Sequence, residues 1–387
     1  MKKRQKKVKR KLKLQAYIAG SFLACLLIAA IVNLVVPART YSKSEDRNLM
    51  QRPQFSVSAF INGDFARQYE DYLKDQFVGR DGLRMIRTEI NLFAGGRKSD
   101  GIFKGKNGQL MEDAVIPDSV SLEQNITAIQ NFTAEFPDVT ASMILVPDAV
   151  SVWSDQLPPL ATVANQSAYL KNVKRNLEEH LTWIDVESVM NEHKNEKIYY
   201  KTDAHWTTLA AYYAFQQSGD ALKIETGGEA AFSPYPVTTT FNGKLSSKSG
   251  YETGTREEID IYVPKDKIQL VVNQVEEQNK TTSLYDSSQL DSKNQYEVFL
   301  GGNYGLLDIK TTANSDRRLL IFKDSFANCY IPFLTPHFRE IVVVDPKYYT
   351  GTGAELMSTY QISDMMFLYS ANGFMSDNNM SGVLTGE

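Results

Sequence analysis

The feature that most constrains this chain is an apolar run without a formal charge at residues 14–36, which directly follows a basic N-terminus. As an α-helix, its 23 residues would extend about 35 Å, enough to cross the roughly 30 Å hydrocarbon core of a bilayer. The run exceeds the apolar core of a cleaved signal peptide, which has roughly 7–15 residues, although Val35-Val36-Pro37-Ala38 leaves cleavage open as the alternative. We therefore predict an uncleaved transmembrane helix at 14–36, with the lipid bilayer as its partner.

The charge of the chain is concentrated at its start. Residues 1–13 hold nine Lys and Arg and no acid, which leaves 33 basic against 46 acidic residues in the rest of the chain. The positive-inside rule makes 1–13 a cytoplasmic tail and places everything after the helix outside the membrane. The acidic remainder argues against a nucleic-acid partner. Cys25 lies in the membrane segment and Cys329 outside it, so no disulfide framework is implied.

The rest of the chain has the pattern of an exported α/β protein. Residues 37–60 are polar without a sustained period, which predicts an extracellular stalk. Over 61–372, helical periods alternate with short Val, Ile and Leu runs, a pattern typical of an α/β domain with a mainly parallel sheet. Within it, residues 218–296 are rich in Ser, Thr and Gly and predict a β-rich insertion. The polar residues 373–387 predict a flexible tail.

Hydrophobic periodicity also predicts individual elements. Apolar residues at positions 65, 69, 73 and 77 share one helical face, so we predict a helix over 65–77 and, after the break at Asp81-Gly82, another over 83–93. The step Asn107-Gly108 predicts a hairpin turn. The remaining predicted elements are the helices 121–136 and 167–181 and the strands 141–146, 183–186, 318–322, 340–345 and 365–369.

Two short motifs carry the candidate chemistry. Asp203 and His205 lie two positions apart in a chain with four histidines, and Ser325 follows the predicted strand 318–322. A serine hydroxyl becomes nucleophilic when an imidazole takes its proton, and a carboxylate fixes the tautomer of that imidazole. We interpret Ser325 as the nucleophile, His205 as the base and Asp203 as the group that orients His205. Because residues i and i+2 do not face each other on a helix, the pair belongs on a loop, with Thr207 or Thr208 as the N-cap of the helix that follows.

Other residues would complete such a site. A turn from strand to helix at Ser325 directs backbone N–H groups toward an oxyanion. Asn303 and Asn328 are candidates for an additional side-chain donor, and Asn303 is preferred because glycines precede it. Trp206 and Trp153 are candidate flat surfaces for sugar rings, and Trp206 could equally form a wall that orients His205.

Each motif also has a purely structural interpretation. An Asp-x-His pair is commonly a hydrogen-bonded loop, and a serine after a strand is commonly a helix cap. Asp203 and His205 as metal ligands are disfavoured, because the other three histidines show no ligand spacing to them. Cys329 lies one helical turn past Ser325, where an inert, packed thiol is the default. We expect neither a metal nor an organic cofactor.

Four groups of residues carry a resemblance to known proteins. They are Thr202-Asp203-Ala204-His205-Trp206-Thr207 with Tyr212-Tyr213, Lys323-Asp324-Ser325-Phe326-Ala327-Asn328, residues 341–345 with Tyr348-Tyr349, and Asp75-Gln76-Phe77 with Arg80-Asp81. In these segments the chain resembles the DHHW proteins of bacterial envelopes. More distantly, the chain is similar to alginate O-acetyltransferase proteins with an SGNH-hydrolase-like fold. The resemblance covers most of the exported region.

This resemblance implies a three-layer SGNH-hydrolase-like fold, circularly permuted so that Asp203 and His205 precede Ser325. Two positions depart from the patterns. Ala204 stands where the family motif has its first histidine, and Lys323 stands where SGNH serine motifs have glycine.

Motifs and resemblance together predict a single-pass membrane protein with a cytoplasmic N-terminus and an extracytoplasmic catalytic domain. It would be a serine O-acyltransferase or esterase that acts on acyl esters of a cell-envelope or exported polysaccharide, with acetyl as the favoured acyl group. A membrane exporter of acyl groups would be a further partner. The alternative is a catalytically inactive SGNH-like protein that binds or assembles envelope polysaccharide.

Overall fold

The computed structural model describes residues 2–42, 47–251 and 253–386. The described chain forms two compact units, one ending at Ile90 and the other beginning at Asn91. Parts of four predicted segments lie outside the described residues, namely residue 1 of the cytoplasmic tail, 43–46 of the stalk, 252 of the insertion and 387 of the C-terminal tail.

The first unit is mainly helical. Its elements are α1 (Lys2–Val35), β1 (Tyr41–Ser42), β2 (Arg47–Asn48), α2 (Val57–Ile61), α3 (Asp64–Gln76) and the start of α4 (Arg80–Phe93). Within α1, Gln15–Asn33 is long and apolar enough to cross a membrane by length and composition. The predicted stalk is more ordered than expected, because β1 pairs antiparallel with β2 and α2 follows. Helix α4 begins three residues before the predicted position.

The second unit alternates strands and helices. Its strands are β3 (Lys98–Ser99), β4 (Ile102–Lys104), β5 (Leu110–Glu112), β6 (Thr140–Val146), β7 (Thr182–Trp183), β8 (Phe232–Phe241), β9 (Glu257–Pro264), β10 (Leu270–Gln274), β11 (Asn279–Thr281), β12 (Leu306–Thr311), β13 (Arg318–Lys323), β14 (Glu340–Val344) and β15 (Asp364–Ser370). Its helices are α5 (Ser119–Glu135), α6 (Ala149–Val152), α7 (Gln166–Leu177), α8 (Val186–Glu192), α9 (Thr208–Leu222), α10 (Lys244–Ser249), α11 (Ile331–Leu334), α12 (Gly353–Tyr360), α13 (Ala371–Met375) and α14 (Met380–Thr385).

Eight strands form one sheet in the order β11-β10-β12-β14-β13-β15-β6-β7. The pairings from β14 to β7 are all parallel, whereas β12, β10 and β11 add an antiparallel edge. The predicted α/β fold with a mainly parallel sheet is therefore confirmed. Parallel strands place their carboxyl ends on one edge, which is where sheets of this class gather functional side chains.

Alternation along β13 shows how the sheet is covered. Leu319 and Ile321 face one buried apolar cluster, and Leu320 and Phe322 face another on the opposite side. The first cluster includes residues of α8, α9 and α11, and the second includes residues of α5, α7, α12 and α14. Burying each such side chain contributes about 1.5–3 kcal/mol, so both helical layers stabilise the central strands.

Several boundaries differ from the predictions. The strand predicted at 183–186 is reduced to β7, because Asp185 caps α8 and ends the extended segment. Helix α7 ends at Leu177 rather than at 181. Of the predicted β-rich insertion, residues 218–222 belong to α9, β8 and β9 pair with each other, and β10 and β11 join the main sheet.

The C-terminal end also differs from the predicted flexible tail. Residues 371–375 and 380–385 form α13 and α14. Met380, Val383 and Leu384 are buried, and Asn125 on α5 accepts a hydrogen bond from the Ser381 backbone N–H at 3.1 Å. The three buried side chains have i, i+3, i+4 spacing, which is the apolar pattern of a packed helix.

Candidate active site

A carboxylate holds the loop that carries the Asp-x-His motif. Glu257, at the start of β9, accepts the backbone N–H groups of Lys201 at 2.8 Å and Thr202 at 3.0 Å. It also accepts the Thr202 hydroxyl at 2.7 Å. The loop ends at Thr207, whose side chain caps α9 by accepting the Ala210 N–H. Both ends of the motif are therefore fixed by hydrogen bonds, in the loop-to-helix setting that the sequence predicts.

Asp203 is buried, with 2% of its surface exposed, and each of its carboxylate oxygens accepts a hydrogen bond. Oδ1 lies 2.5 Å from His205 Nδ1 and accepts the His205 backbone N–H at 3.1 Å, and Oδ2 accepts the Lys244 N–H at 2.9 Å. Burial alone would raise the pKa of Asp203, but the charge of protonated His205 and these hydrogen bonds lower it to about 2. The side chain is therefore an anion at neutral pH. A Cβ atom at Gly243 would collide with Asp203, so this close approach requires glycine.

The imidazole of His205 connects Asp203 to Ser325. Its Nε2 lies 2.8 Å from Ser325 Oγ, on the opposite side of the ring from the Asp203 contact. Because Asp203 is an acceptor, the Nδ1 proton is directed to it, which leaves Nε2 as the acceptor for the serine proton. The ring stacks on Tyr296 with centroids 3.8 Å apart and planes at 16°, and it also contacts Phe326. We call Asp203, His205 and Ser325 the candidate triad.

Ser325 lies where β13 ends and a short 3₁₀ helix, Ser325–Cys329, begins. The cap of that helix is Asp324, whose Oδ1 accepts the Phe326 N–H at 2.9 Å. Its Oδ2 accepts the Ser370 N–H at 2.9 Å and the Ser370 hydroxyl at 2.6 Å. Burial raises the pKa of Asp324, and these hydrogen bonds oppose the rise. Since Asp324 performs the capping, the Ser325 hydroxyl is left facing His205.

The two asparagines considered as oxyanion donors have different positions. Asn303 is exposed and lines the same cavity as Ser325. Asn328 is buried, and its Nδ2 donates to Gly302 O at 3.3 Å and to Asn303 Oδ1 at 3.1 Å. Lys323 also donates to Asn303 Oδ1, at 2.7 Å. Asn303 therefore lines the cavity, and buried Asn328 donates a hydrogen bond to the Asn303 side chain.

Neither tryptophan presents an open face. Trp206 is 0% exposed, stacks on Tyr330 and donates from Nε1 to Phe326 O at 2.9 Å. Trp153 is 5% exposed and donates to Lys194 O at 2.8 Å. Both indoles thus pack in the core, which differs from the expected sugar-binding surfaces. Trp206 instead buttresses the 3₁₀ helix that begins at Ser325, through its bond to Phe326.

One cavity of about 650 Å³ opens at the carboxyl edge of the parallel strands. Its lining includes His205, Ser325, Asn303 and Asp148, which follows β6. Ala204 also lies in this wall, beside His205 and outside the line of contacts from Asp203 to Ser325. A space of this size lies within the range of small-molecule sites in other proteins.

A second buried carboxyl group, missed by the sequence reasoning, contacts this cavity. Asp148 Oδ2 accepts Gln166 Nε2 at 2.7 Å and the Asn372 N–H at 2.8 Å. Burial raises the pKa of Asp148 to about 7, and the hydrogen bonds from Asn372 and Gln166 offset only part of that rise. We call Asp148, Gln166 and Asn372 the Asp148 cluster. Its signal in the sequence was the position of Asp148, directly after a buried strand and Pro147.

Candidate metal ligands do not gather in the part of the chain that the structure describes. Within residues 2–42, 47–251 and 253–386, no group of three or more His, Cys, Asp or Glu side chains is arranged to hold a metal ion. Cys329 is buried, and burial raises the pKa of its thiol to about 12. That thiol is protonated at neutral pH and therefore a poor nucleophile.

Comparison with known proteins places this geometry in context. The family model described as DHHW protein matches residues 118–344. A DHHW family protein from Eubacterium siraeum has a similar structure, with a TM-score of 0.62 and 21% identity over 74% of this chain and 98% of the other. Bacillus cereus PatB1, solved with a sulfonyl adduct, has a TM-score of 0.59 and 20% identity over 73% of this chain and 97% of the other.

A weaker likeness is to the O-acetyltransferase domain of Pseudomonas putida AlgJ. Its TM-score is 0.45 at 11% identity, over 74% of this chain and 99% of the other. No curated protein matches this chain by sequence.

Proposed function

The chain belongs to the DHHW protein family, and we propose that it is a membrane-anchored serine O-acyltransferase or esterase acting on acyl esters of a cell-envelope polysaccharide. The observation that carries this proposal is the continuous line of contacts in the candidate triad, 2.5 Å from Asp203 to His205 and 2.8 Å from His205 to Ser325. Both distances lie within hydrogen-bond reach, which is the geometric requirement for nucleophilic catalysis by serine.

In the first half-reaction, Ser325 Oγ attacks the carbonyl carbon of the acyl donor while His205 Nε2 takes the serine proton. The tetrahedral intermediate then collapses, the bond from carbonyl carbon to the leaving oxygen breaks, and His205 returns the proton to that oxygen. The acyl group is left esterified to Ser325. Asp203 remains ionised throughout and stabilises the charged imidazole between the two proton transfers.

In the second half-reaction, a hydroxyl group attacks the acyl-enzyme. His205 takes the proton of the attacking group and returns it to Ser325 Oγ as the ester bond to the enzyme breaks. A sugar hydroxyl as the attacking group gives an acylated glycan, and water gives the free acid. The negative oxygen of each tetrahedral intermediate would be stabilised by the Ser325 backbone N–H, at the start of the 3₁₀ helix, and by the Asn303 amide.

The sequence departure at Ala204 is compatible with this mechanism. His205 alone makes both contacts of the base, so Ala204 removes a histidine that the proton path does not use. Capping by Asp324 supports the functional role of Ser325, because the serine is not needed as a cap. The similar structure of PatB1 was solved with a sulfonyl adduct, which supports a reactive group in proteins of this fold.

The cellular setting is also part of the proposal. The apolar segment of α1 supports a membrane anchor, and the basic residues before it support a cytoplasmic N-terminus with the second unit outside. The family resemblance favours an envelope or exported polysaccharide as the acceptor of the acyl group. An acyl donor at that side of the membrane requires a partner that exports acyl groups.

A fluorophosphonate probe tests the nucleophile directly. We expect the full-length protein in detergent to be labelled on Ser325, and the Ser325→Ala variant to be unlabelled. Ser358→Ala, which removes an exposed hydroxyl on α12, is the matched control and should label like the wild type. A folded wild-type protein that remains unlabelled would instead support the inactive, polysaccharide-binding alternative.

A further inference from the structure

A buried lysine ends the strand that leads to Ser325. Lys323 is 1% exposed, although it lies only two positions before the candidate nucleophile. Desolvating an ammonium group is costly unless its donors are paired, so a buried lysine requires nearby acceptors. Burial lowers the pKa of Lys323, and the carboxylate of Asp345 opposes that shift.

Lys323 has two acceptors, and they lie on different elements. Nζ donates to Asp345 Oδ2 at 3.2 Å, at the end of the neighbouring strand β14. It donates to Asn303 Oδ1 at 2.7 Å, in the loop before β12. The ion pair with Asp345 thus holds the Lys323 ammonium at the sheet edge. From that position Nζ donates its shorter hydrogen bond to Asn303 Oδ1.

These contacts determine which way the Asn303 amide is turned. An amide oxygen has two lone pairs, and Asn303 Oδ1 accepts both Lys323 Nζ and Asn328 Nδ2, the latter at 3.1 Å. Both neighbours are donors only at these atoms, so the amide orientation with Oδ1 toward them is the one that satisfies the network. The Asn303 Nδ2 donor is then directed to the other side, and Asn303 lines the cavity beside Ser325.

We propose that Lys323 is a positioning residue that orients the Asn303 amide as an oxyanion donor for the reaction at Ser325. This inference rests on the proposed function and adds a role for the lysine that replaces the glycine of SGNH serine motifs. Donors to an oxyanion are effective when their direction is fixed before the charge develops. The bond from Lys323 fixes the direction of the Asn303 amide. The positive charge of Lys323 next to Oδ1 also makes the Asn303 Nδ2–H group a stronger donor to the oxyanion.

The Lys323→Met variant tests this role, because methionine keeps the apolar stem and removes the donor. We expect kcat for p-nitrophenyl acetate to fall about 10–100-fold, with KM changed less than about threefold, since the donor acts on the transition state. Asn303→Ala should likewise lower kcat and leave KM nearly unchanged. The double variant should be no slower than the slower single variant, because Lys323 acts through Asn303.

A matched control removes a lysine from elsewhere. Lys171→Met changes an exposed residue of α7 and should leave kcat and KM at wild-type values. A second arm, Asn328→Ala, removes the other donor to Asn303 Oδ1 and should lower kcat by a smaller factor, about 3–10-fold. If Lys323→Met does not fold, Lys323→Gln decides the question, because its shorter neutral side chain keeps a polar group for Asp345 and withdraws the ammonium donor from Asn303. The same fall in kcat is expected.

The outcomes separate this inference from the proposed function. Fluorophosphonate labelling of wild-type Ser325 reports on the nucleophile alone. The positioning role is wrong if Ser325 is labelled but Lys323→Met keeps wild-type kcat. It is also wrong if the fold-decrease in kcat of the double variant equals the product of the decreases in Lys323→Met and Asn303→Ala. If Lys323→Met fails to fold and Lys323→Gln keeps wild-type kcat, the same conclusion follows.

Discussion

The candidate triad and the Asp148 cluster each contain a buried aspartate near the same cavity, yet their protonation differs. Asp203 is 2% exposed and has a pKa of about 2, whereas Asp148 is 6% exposed and has a pKa of about 7. Burial raises the pKa in both cases. The difference comes from the partners, since Asp203 contacts an imidazole that can carry a charge and Asp148 accepts only neutral donors.

This comparison shows what distinguishes a carboxylate suited to assist catalysis. A permanent anion can stabilise an imidazolium, and Asp203 is such an anion over the whole neutral range. Asp148 is half protonated near pH 7, and its carboxyl group accepts hydrogen bonds from the Gln166 amide and the Asn372 N–H. Its hydrogen bonds join the end of β6 to α7 and α13, which is a structural task.

The largest expected effect separates the two aspartates by activity. Asp203→Asn keeps the side-chain shape but presents an N–H to His205, which favours the wrong tautomer, so we expect kcat for p-nitrophenyl acetate to fall about 10³–10⁴-fold. Asp148→Asn, the matched control in the same cavity region, should change kcat less than about threefold. Steady-state kinetics with both variants measures this. Equal losses in the two variants would mean that Asp148 is as important to the reaction as Asp203.

The second prediction concerns stability and pH. The Asp148 carboxyl ionises near its ordinary value of 3.8 when unfolded and near 7 when folded, so between these values the folded state binds more protons. Wild-type stability should therefore fall as the pH rises from about 4 to about 7 and be lowest above that. Asp148→Asn avoids the cost of burying the anion. We expect it to be more stable than the wild type at pH 8, on the order of 2–4 kcal/mol, with the gap closing near pH 4.

Urea unfolding of both proteins at pH 4, 6 and 8 measures that gap. The wild-type curve should approach the variant's curve as the pH is lowered. A gap that does not depend on pH would mean that Asp148 has an ordinary pKa in the folded protein.

The third prediction concerns the loop that carries the triad aspartate. Glu257→Gln leaves one acceptor oxygen for three donors, so we expect the loop around Thr202 to shift and the free energy of unfolding to fall by about 1–3 kcal/mol. A displaced His205 should lower kcat by about tenfold or more. Glu258→Gln is the matched control at the adjacent exposed position. Wild-type kcat in Glu257→Gln would show that the loop does not depend on this carboxylate.

The smallest expected effect concerns the ring that packs on His205. Tyr296 stacks on the imidazole at 3.8 Å, and Tyr296→Leu keeps apolar bulk without the flat face. We expect kcat to fall about 2–5-fold, because the imidazole gains freedom to rotate away from Ser325. The ratio of kcat values for Tyr296→Leu and the wild type checks this. A loss as large as that of Asp203→Asn would give Tyr296 a direct part in the reaction.

The sequence predicted the parts of the site that local chemistry specifies. Asp203 and His205 belong to one motif, and the geometry at Ser325 follows from a buried strand ending before polar residues. Parallel β13, β14 and β15 followed from Val, Ile and Leu runs. These features depend on neighbouring residues, so one sequence is enough to detect them.

The supporting contacts were not predictable in the same way. Glu257 and Tyr296 contact the motif from 55 and 91 positions away, as the residue numbers show. No local pattern marks such partners. Burial of Trp206 likewise depends on tertiary packing. The C-terminal helix α14 is different, because its i, i+3, i+4 spacing was present but was outweighed by the polar composition of the segment.

The central claim is that Ser325 forms a covalent acyl-enzyme, and mass spectrometry of the protein quenched during turnover of p-nitrophenyl acetate tests it most directly. We predict an added acetyl group on the peptide that contains Ser325, and none on that peptide in Ser325→Ala. Turnover without acetylation of Ser325, or with the acetyl group on another residue such as Cys329, would contradict it.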